Sequence, residues 1–329
     1  MQSNGRNVEL LLIGLAILVT TVSLVLVEAS QEQSITWGLG KFGVAYAVLL
    51  LIAHLGVRRF APYADPLILP IVALLNGLGL VLIYRLDLAD QQSAISFGLP
   101  TPSSDANQQV LWTALAIAGF VLVLIFLHDY RLLARYSYTL GLIGLVFLAI
   151  PALLPSQFSE VNGAKIWIRL PGFSIQPGEF SKILLIIFFA SVLVAKRDLF
   201  TTAGKHFFGM DFPRARDLGP ILGAWIVSVG VLVFEKDLGT SLLLFTTILV
   251  MLYIATERVG WILIGAGLLA IGFVFAYNMF GHVRVRVSTW LDPFADYNDT
   301  GYQISQSLFG LATGGIAGTG IGSGRPSQV

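Results

Sequence analysis

The chain has 329 residues, 56% of them hydrophobic and only 12% charged, and its mean hydropathy is +0.80. No soluble domain of this length fits that composition, so the reading is an all-α, polytopic helical membrane protein. A net charge of +1 lacks the basic excess that a nucleic-acid partner would call for, and zero cysteines with four scattered histidines argue against disulfides, thiolate metal sites and a zinc centre.

About nine spans of near-membrane length are expected, over 8–27, 38–57, 67–84, 110–127, 139–154, 180–195, 219–234, 238–254 and 260–279. Each is mostly Leu, Ile, Val, Ala, Phe and Gly and satisfies its backbone internally as a helix. The first run follows Arg6 in the manner of a signal peptide, but its length and the second span close behind it favour an uncleaved helix. An N-terminus inside puts Arg6, Arg58, Arg59, Arg131, Arg135, Lys196, Arg197 and Arg258 on the cytoplasmic side, the positive-inside pattern. Most acids then fall outside, among them Glu28, Asp87, Glu179, Asp237, Asp292, Asp296 and Asp299. Against the rule, Lys165, Arg169, Lys182, Lys236, Arg284 and Arg286 fall there too, which suggests a bound anion such as a lipid pyrophosphate.

The stretch 85–109, rich in Ser, Gln, Pro and Asp, reads as a polar external loop with no core of its own. Residues 162–182, NGAKIWIRLPGFSIQPGEFSK, bring an Asn-Gly turn, an interfacial Trp167 and a Gln-Pro-Gly break before a new helix. Glu179 falls in that helix's first turn and Lys182 follows on the same face. A re-entrant turn anchored by an aromatic explains the spacing as well as a ligand site does, until Lys182, inside an apolar span, demands a partner. The basic connector 196–218 carries Phe207, Phe208 and Phe212 and is expected against the inner membrane surface.

Residues 234–241, FEKDLGTS, break two spans of one hairpin. A tight solvated turn is the plainer explanation, a headgroup contact or an Asp237–Lys182 ion pair the sharper one. The most polar segment, 282–324, joins Arg284 and Arg286 to three aspartates, an amphipathic stretch over 304–312 and a glycine run. That run matches neither a Walker loop nor a strict GxGxxG but lets backbone approach something closely. Turn formation accounts for two of the three aspartates. An ionisable group at the bilayer edge is otherwise a functional-site hypothesis.

In their order, these segments resemble the SEDS family, the FtsW/RodA/SpoVE group of bacterial cell-wall polymerases, from about Pro66 to the end. NGAKIWIRLPGFSIQPGEFSK is similar to that family's NGAxRWI…QPSEFxK, EKDLGTS to its QPDLGT turn, and RVSTWLDPFADYNDTGYQISQSLFGLATGGIAGTGIGSG to its R…W-[DN]-P…D-P-x-G-x-GYQ…QS…GG…G.G.G segment. The wording FSIQPGEFSK and the two added N-terminal spans are similar to actinobacterial RodA-like members. The division implied is an N-terminal helix pair over 1–65 and a SEDS-type domain over 66–329, with a large extracellular loop.

The resemblance implies a glycosyltransferase of the bacterial cytoplasmic membrane that polymerises lipid II during elongation or division, with a class B penicillin-binding protein as partner. It makes Asp296 the catalytic carboxylate. Lys165, Trp167, Arg169, Lys182, Asp237, Arg284, Arg286 and Gln303 are the expected substrate contacts. No organic cofactor is expected; a divalent cation, Mg or Mn, is left open, as is any metal ligand. Ile166 stands where members usually carry Arg, and Tyr297 where they carry Pro. The family pattern continues past the glycine run with a TDFIF-like segment and three more spans. The expectation is therefore a chain incomplete at its C-terminus, whose activity would suffer from a reduced substrate cavity. A lipid II flippase and a non-catalytic scaffold for a synthase are the rival functions.

Overall fold

The computed structural model describes residues 2–31, 37–161, 164–170, 173–195, 204–207, 210–213, 223, 225–228, 230 and 237–323. In chain order the helices are α1 (Gln2–Ser30), α2 (Trp37–Phe60), α3 (Ile68–Ser96), α4 (Asp105–Phe126), α5 (Arg131–Arg135), α6 (Ser137–Leu153), α7 (Ser156–Ser159), α8 (Pro177–Ala195), α9 (Leu238–Thr256), α10 (Gly260–Met279), α11 (Gly281–Leu291) and α12 (Tyr302–Gly314). Among the described residues seven helices (α1 to α4 and α8 to α10) are long and apolar enough to cross a bilayer. A chain with this many such helices is a polytopic helical membrane protein. The fifth expected span is the shorter apolar helix α6, and the one expected over 219–234 lies largely outside the described residues.

One compact unit comprises residues 1–128 and 281–329, the other residues 129–280. In the first, α1 packs on α3 and α2 on α4. Ile13, Ala16, Tyr46, Leu50 and Ala73 form one buried cluster and Leu24, Val27, Val81 and Leu88 a second. Close approach depends on small residues: a Cβ on Gly77 would overlap the Thr20 hydroxyl. The N-terminal pair α1–α2 thus shares buried clusters with α3.

Charged side chains mark the two ends of this unit. At one end Glu9, fully buried, sits between the Arg6 guanidinium and the His54 ring, whose Nδ1 lies 2.7 Å from Glu9 Oε1. Arg6 also donates to the carbonyl of Ala64. At the other end Tyr84 donates to Glu28 Oε1 (2.7 Å). Asp87 there accepts from the Ser104 hydroxyl (2.7 Å) and from the backbone N–H groups of Asp105 (3.0 Å) and Ala106 (2.9 Å). Asp87 on α3 therefore supplies the negative charge that the N-terminus of α4 attracts.

The loop expected over 85–109 is corrected: α3 runs on to Ser96. Helix-tolerant residues occupy 85–96, Leu88 and Ala89 are buried, and no glycine or proline intervenes before Gly98. Glu28 and Asp87, expected among the acids of the outer side, are buried, at 1% and 8% exposure.

In the second unit α6 lies against α8, where Gly141 and Gly144 leave room for Phe188 and Leu185 and the Ser181 hydroxyl donates to the Gly144 carbonyl (2.8 Å). Leu148, Leu185, Phe189, Leu244 and Ile248 close a core shared with α9. Short antiparallel pairs punctuate the helices. β1 (Glu160–Val161) pairs with β2 (Ala164–Lys165), β3 (Ile168–Leu170) with β4 (Phe173–Ile175), and β5 (Gly204–Phe207) with β6 (Met210–Pro213). Residues 162–163 and most of the connector 196–222, with the expectations placed on them, lie outside the described residues.

Candidate active site

In the first unit α11 ends at Leu291 and the chain turns through 292–301 into α12. The Asp296 carbonyl accepts from the backbone N–H of Gly301 (2.9 Å), and Gly301 must be glycine, since a Cβ there would run into the carbonyl of Pro293. Ser305 Oγ donates to that same Pro293 carbonyl (3.1 Å) and Gln306 Nε2 to the Tyr297 hydroxyl (2.9 Å). Phe309 stands against Phe294 and Tyr297 at ring separations of 5.9 and 6.1 Å. Turn and helix are thereby one body.

Asp292, Asp296 and Asp299 are all exposed, but the turn treats them differently. Asp296 Oδ2 accepts from the Thr300 backbone N–H (3.3 Å) and hydroxyl (2.8 Å), which fixes the carboxylate and turns Oδ1 away without a partner among the described residues. Asp292 and Asp299 make no side-chain hydrogen bond among the described residues. Thr300 is the residue that sequence reasoning missed; the Asp-x-x-x-Thr spacing inside the turn was its signal.

Arg284 and Arg286 lie exposed on α11 and Gln303 exposed on α12. Two residues apart on a helix means roughly 200° of rotation, so only one of the two arginines faces a given ligand. Beside the turn lies a cavity of about 1020 Å³, walled by Val27, Leu78, Arg85, Tyr297, Gln306 and Phe309 among others.

The other expected contacts belong to the second unit. Lys165 stands opposite Glu160 in the β1–β2 pair and Arg169, exposed, opposite Ser174. Trp167, half-buried between the two hairpins, donates its backbone N–H to Ser159 (3.3 Å). Pro177 opens α8 at the position where a missing N–H costs nothing. One turn on, Lys182 Nζ meets Glu179 Oε1 at 2.8 Å. Asp237 caps α9 by accepting from the Thr240 N–H (3.0 Å). The Asp237–Lys182 pair therefore does not form: each already has a local partner. Among the described residues no three His, Asp or Glu side chains gather as a metal site would require.

Fold and site together define a polytopic membrane protein that presents one anchored, exposed carboxylate on a rigid turn beyond its helices. The family model described as cell cycle protein, FtsW/RodA/SpoVE, matches residues 65–328, and the chain belongs to that family. It is 61% identical to the peptidoglycan glycosyltransferase RodA of Mycobacterium tuberculosis over 324 residues, covering 98% of this chain and 68% of that protein. The RodA of Mycobacterium leprae is 58% identical with the same coverage. A FtsW of Geobacter sp., named a probable peptidoglycan glycosyltransferase, is 32% identical over 275 residues, 82% of this chain and 68% of that one. A solved chain described under "Structural coordination of polymerization and crosslinking by a peptidoglycan synthase complex" aligns at a TM-score of 0.43 and 22% identity, covering 86% of this chain and 67% of that one.

Proposed function

We propose that the chain is a peptidoglycan glycosyltransferase that polymerises lipid II at the outer face of the bacterial cytoplasmic membrane, with Asp296 as its general base. The observation that carries the role is the carboxylate held through Oδ2 by Thr300 while Oδ1 stays open. In the reaction the acceptor sugar's C4 hydroxyl gives its proton to Oδ1 as its oxygen bonds to the donor's anomeric carbon. The bond from that carbon to the lipid pyrophosphate breaks on the opposite face, which turns an α-linked donor into a β linkage in one displacement. Arg284 or Arg286 is the cation proposed to receive the developing pyrophosphate charge, and Gln303 is proposed to position the substrate. Lys165, Trp167, Arg169, Lys182 and Asp237 are proposed as substrate contacts on the family resemblance alone.

The described residues offer no protein cage for a divalent cation. A Mg or Mn ion carried on the pyrophosphate would add its positive charge to that of the cation above.

Orientation follows from the two ends of the first unit. Arg6 and the terminal-turn pair Arg58 and Arg59 share one end; Ser30, Arg85 and the glycine run after α12 meet at the other. The positive-inside rule favours the first end as cytoplasmic. With Tyr297 lining the same cavity as Val27 and Arg85, the orientation proposed is N-terminus inside and Asp296 turn outside. A class B penicillin-binding protein is proposed as partner on the family resemblance alone.

The test uses purified chain, labelled lipid II and no partner. A glycan ladder from the wild type that vanishes in Asp296→Ala supports the reading. Transbilayer movement of the lipid without any ladder makes the chain a flippase instead, and neither activity leaves the scaffold.

A further inference from the structure

The glycine run was singled out for its freedom to approach something closely, and the reaction leaves it unused. Gly318, Gly320 and Gly322 adopt φ of +75°, +108° and +86°, the left-handed region that L side chains rarely enter. This winding brings Gly322 flush against the end of α1, where an added Cβ would overlap the Ser30 hydroxyl and lie 2.9 Å from the Cα of Val27. Two side chains from different parts of the unit converge on its carbonyl: Arg85 Nε donates from within α3 at 2.9 Å and Gln31 Nε2 from just beyond α1 at 2.8 Å.

The segment so held is continuous with the active turn. Gly318 N–H donates to the Gly314 carbonyl (2.8 Å) and Gly315 N–H to that of Leu311 (3.0 Å), which couples the run to the last turn of α12. At its other end α12 is fastened to the Asp296 turn through Ser305, Gln306 and Phe309. A shift at Gly322 therefore moves a helix whose far end carries the carboxylate.

We infer that Gln31, Arg85 and Gly322 form a positioning clamp for Asp296, which makes the added N-terminal helix α1 part of the catalytic apparatus. The inference rests on the polymerase reading for its catalytic consequence, and on geometry alone for the contact. None of the three residues touches a reacting atom. Their loss should lower turnover and leave lipid II binding in place, because misplacing a catalytic group by about 1 Å costs on the order of 100-fold.

Two measurements on the full chain test it. Gly322→Ala would put a Cβ onto the Ser30 hydroxyl and 2.9 Å from the Cα of Val27, whereas Gly318→Ala carries a similar backbone strain with no contact to α1. Gly322→Ala should therefore lower Tm in detergent more than Gly318→Ala does, and equal Tm in the two overturns the clamp. In the lipid II assay Gln31→Glu, which removes the N–H donor at constant shape, should lower kcat about three- to tenfold at unchanged KM. Gln31→Lys, which restores a donor, should recover it. Wild-type kcat in Gln31→Glu, or a change confined to KM, overturns the positioning role. An inactive wild type in which Gly322→Ala still lowers Tm more than Gly318→Ala would instead remove the polymerase reading and the catalytic consequence with it, leaving only the contact.

Discussion

The buried charges around Glu9 and the exposed carboxylate of Asp296 sit in the same unit and behave as opposites. Glu9 has no exposure and is met by Arg6 and His54; Asp296 is open to solvent and is held through one oxygen by its own turn. A charge withdrawn from water survives only when neighbours compensate it, so the first knot is committed to holding helices together. An oriented but uncompensated carboxylate keeps an acceptor to offer a substrate. On the proposed function, burial separates Glu9, which holds helices together, from Asp296, which meets the substrate.

Substitutions sharpen that contrast, with the greatest effect at the turn. Asp296→Ala should reduce polymerisation about 100- to 10,000-fold, read from the glycan ladder, while membrane insertion and thermal unfolding stay as in the wild type. Glu9→Ala should do the reverse: leaving Arg6 buried and uncompensated costs about 3–5 kcal/mol, seen as a fall in folded yield and in Tm in detergent. If the chain instead tolerated that change with its full Tm, the division of roles between the two regions would be wrong.

Asp87→Ala removes the acceptor at the start of α4 and should cost about 0.5–2 kcal/mol, measured the same way. The least effect on stability is expected at Lys182→Ala. Its pair with Glu179 is 20% and 57% exposed and worth at most about 1 kcal/mol. A clear loss of polymerisation in that variant with Tm unchanged would therefore report a substrate contact.

The long helices were legible in the sequence, because runs of Leu, Ile, Val and Phe of membrane length leave the backbone one solution. The extension of α3 to Ser96 was not. Its last three turns carry Asp, Gln and Ser, which imitate a loop when read without the α1 and α4 neighbours that bury Leu88 and Asp87. The hairpins around Trp167 were hidden by brevity, although residues 166–170 are rich in the β-branched and aromatic types that strands favour.

Asp296 stood out through the resemblance, whereas its hydrogen bonds to Thr300 needed coordinates, as did every partner separated in sequence. His54 looked scattered among the histidines until α1 and α2 were laid side by side. The glycine run announced its flexibility but not its target, since nothing local ties Gly322 to Gln31, 291 positions earlier.

The length of α6 has a consequence for the lipid around it. At about 1.5 Å per residue its 17 residues span roughly 26 Å, against a hydrocarbon layer of about 30 Å. The notch at Gly141 and Gly144 holds it to α8 and leaves little freedom to adjust by sliding. Where α6 crosses the bilayer, thinning of the annulus beside it by a few ångströms would close the gap at a fraction of a kcal/mol per Å. Headgroups there would ride lower than in the surrounding leaflet, so that a long-chain lipid approaching from that side would meet the protein across a shallower bilayer.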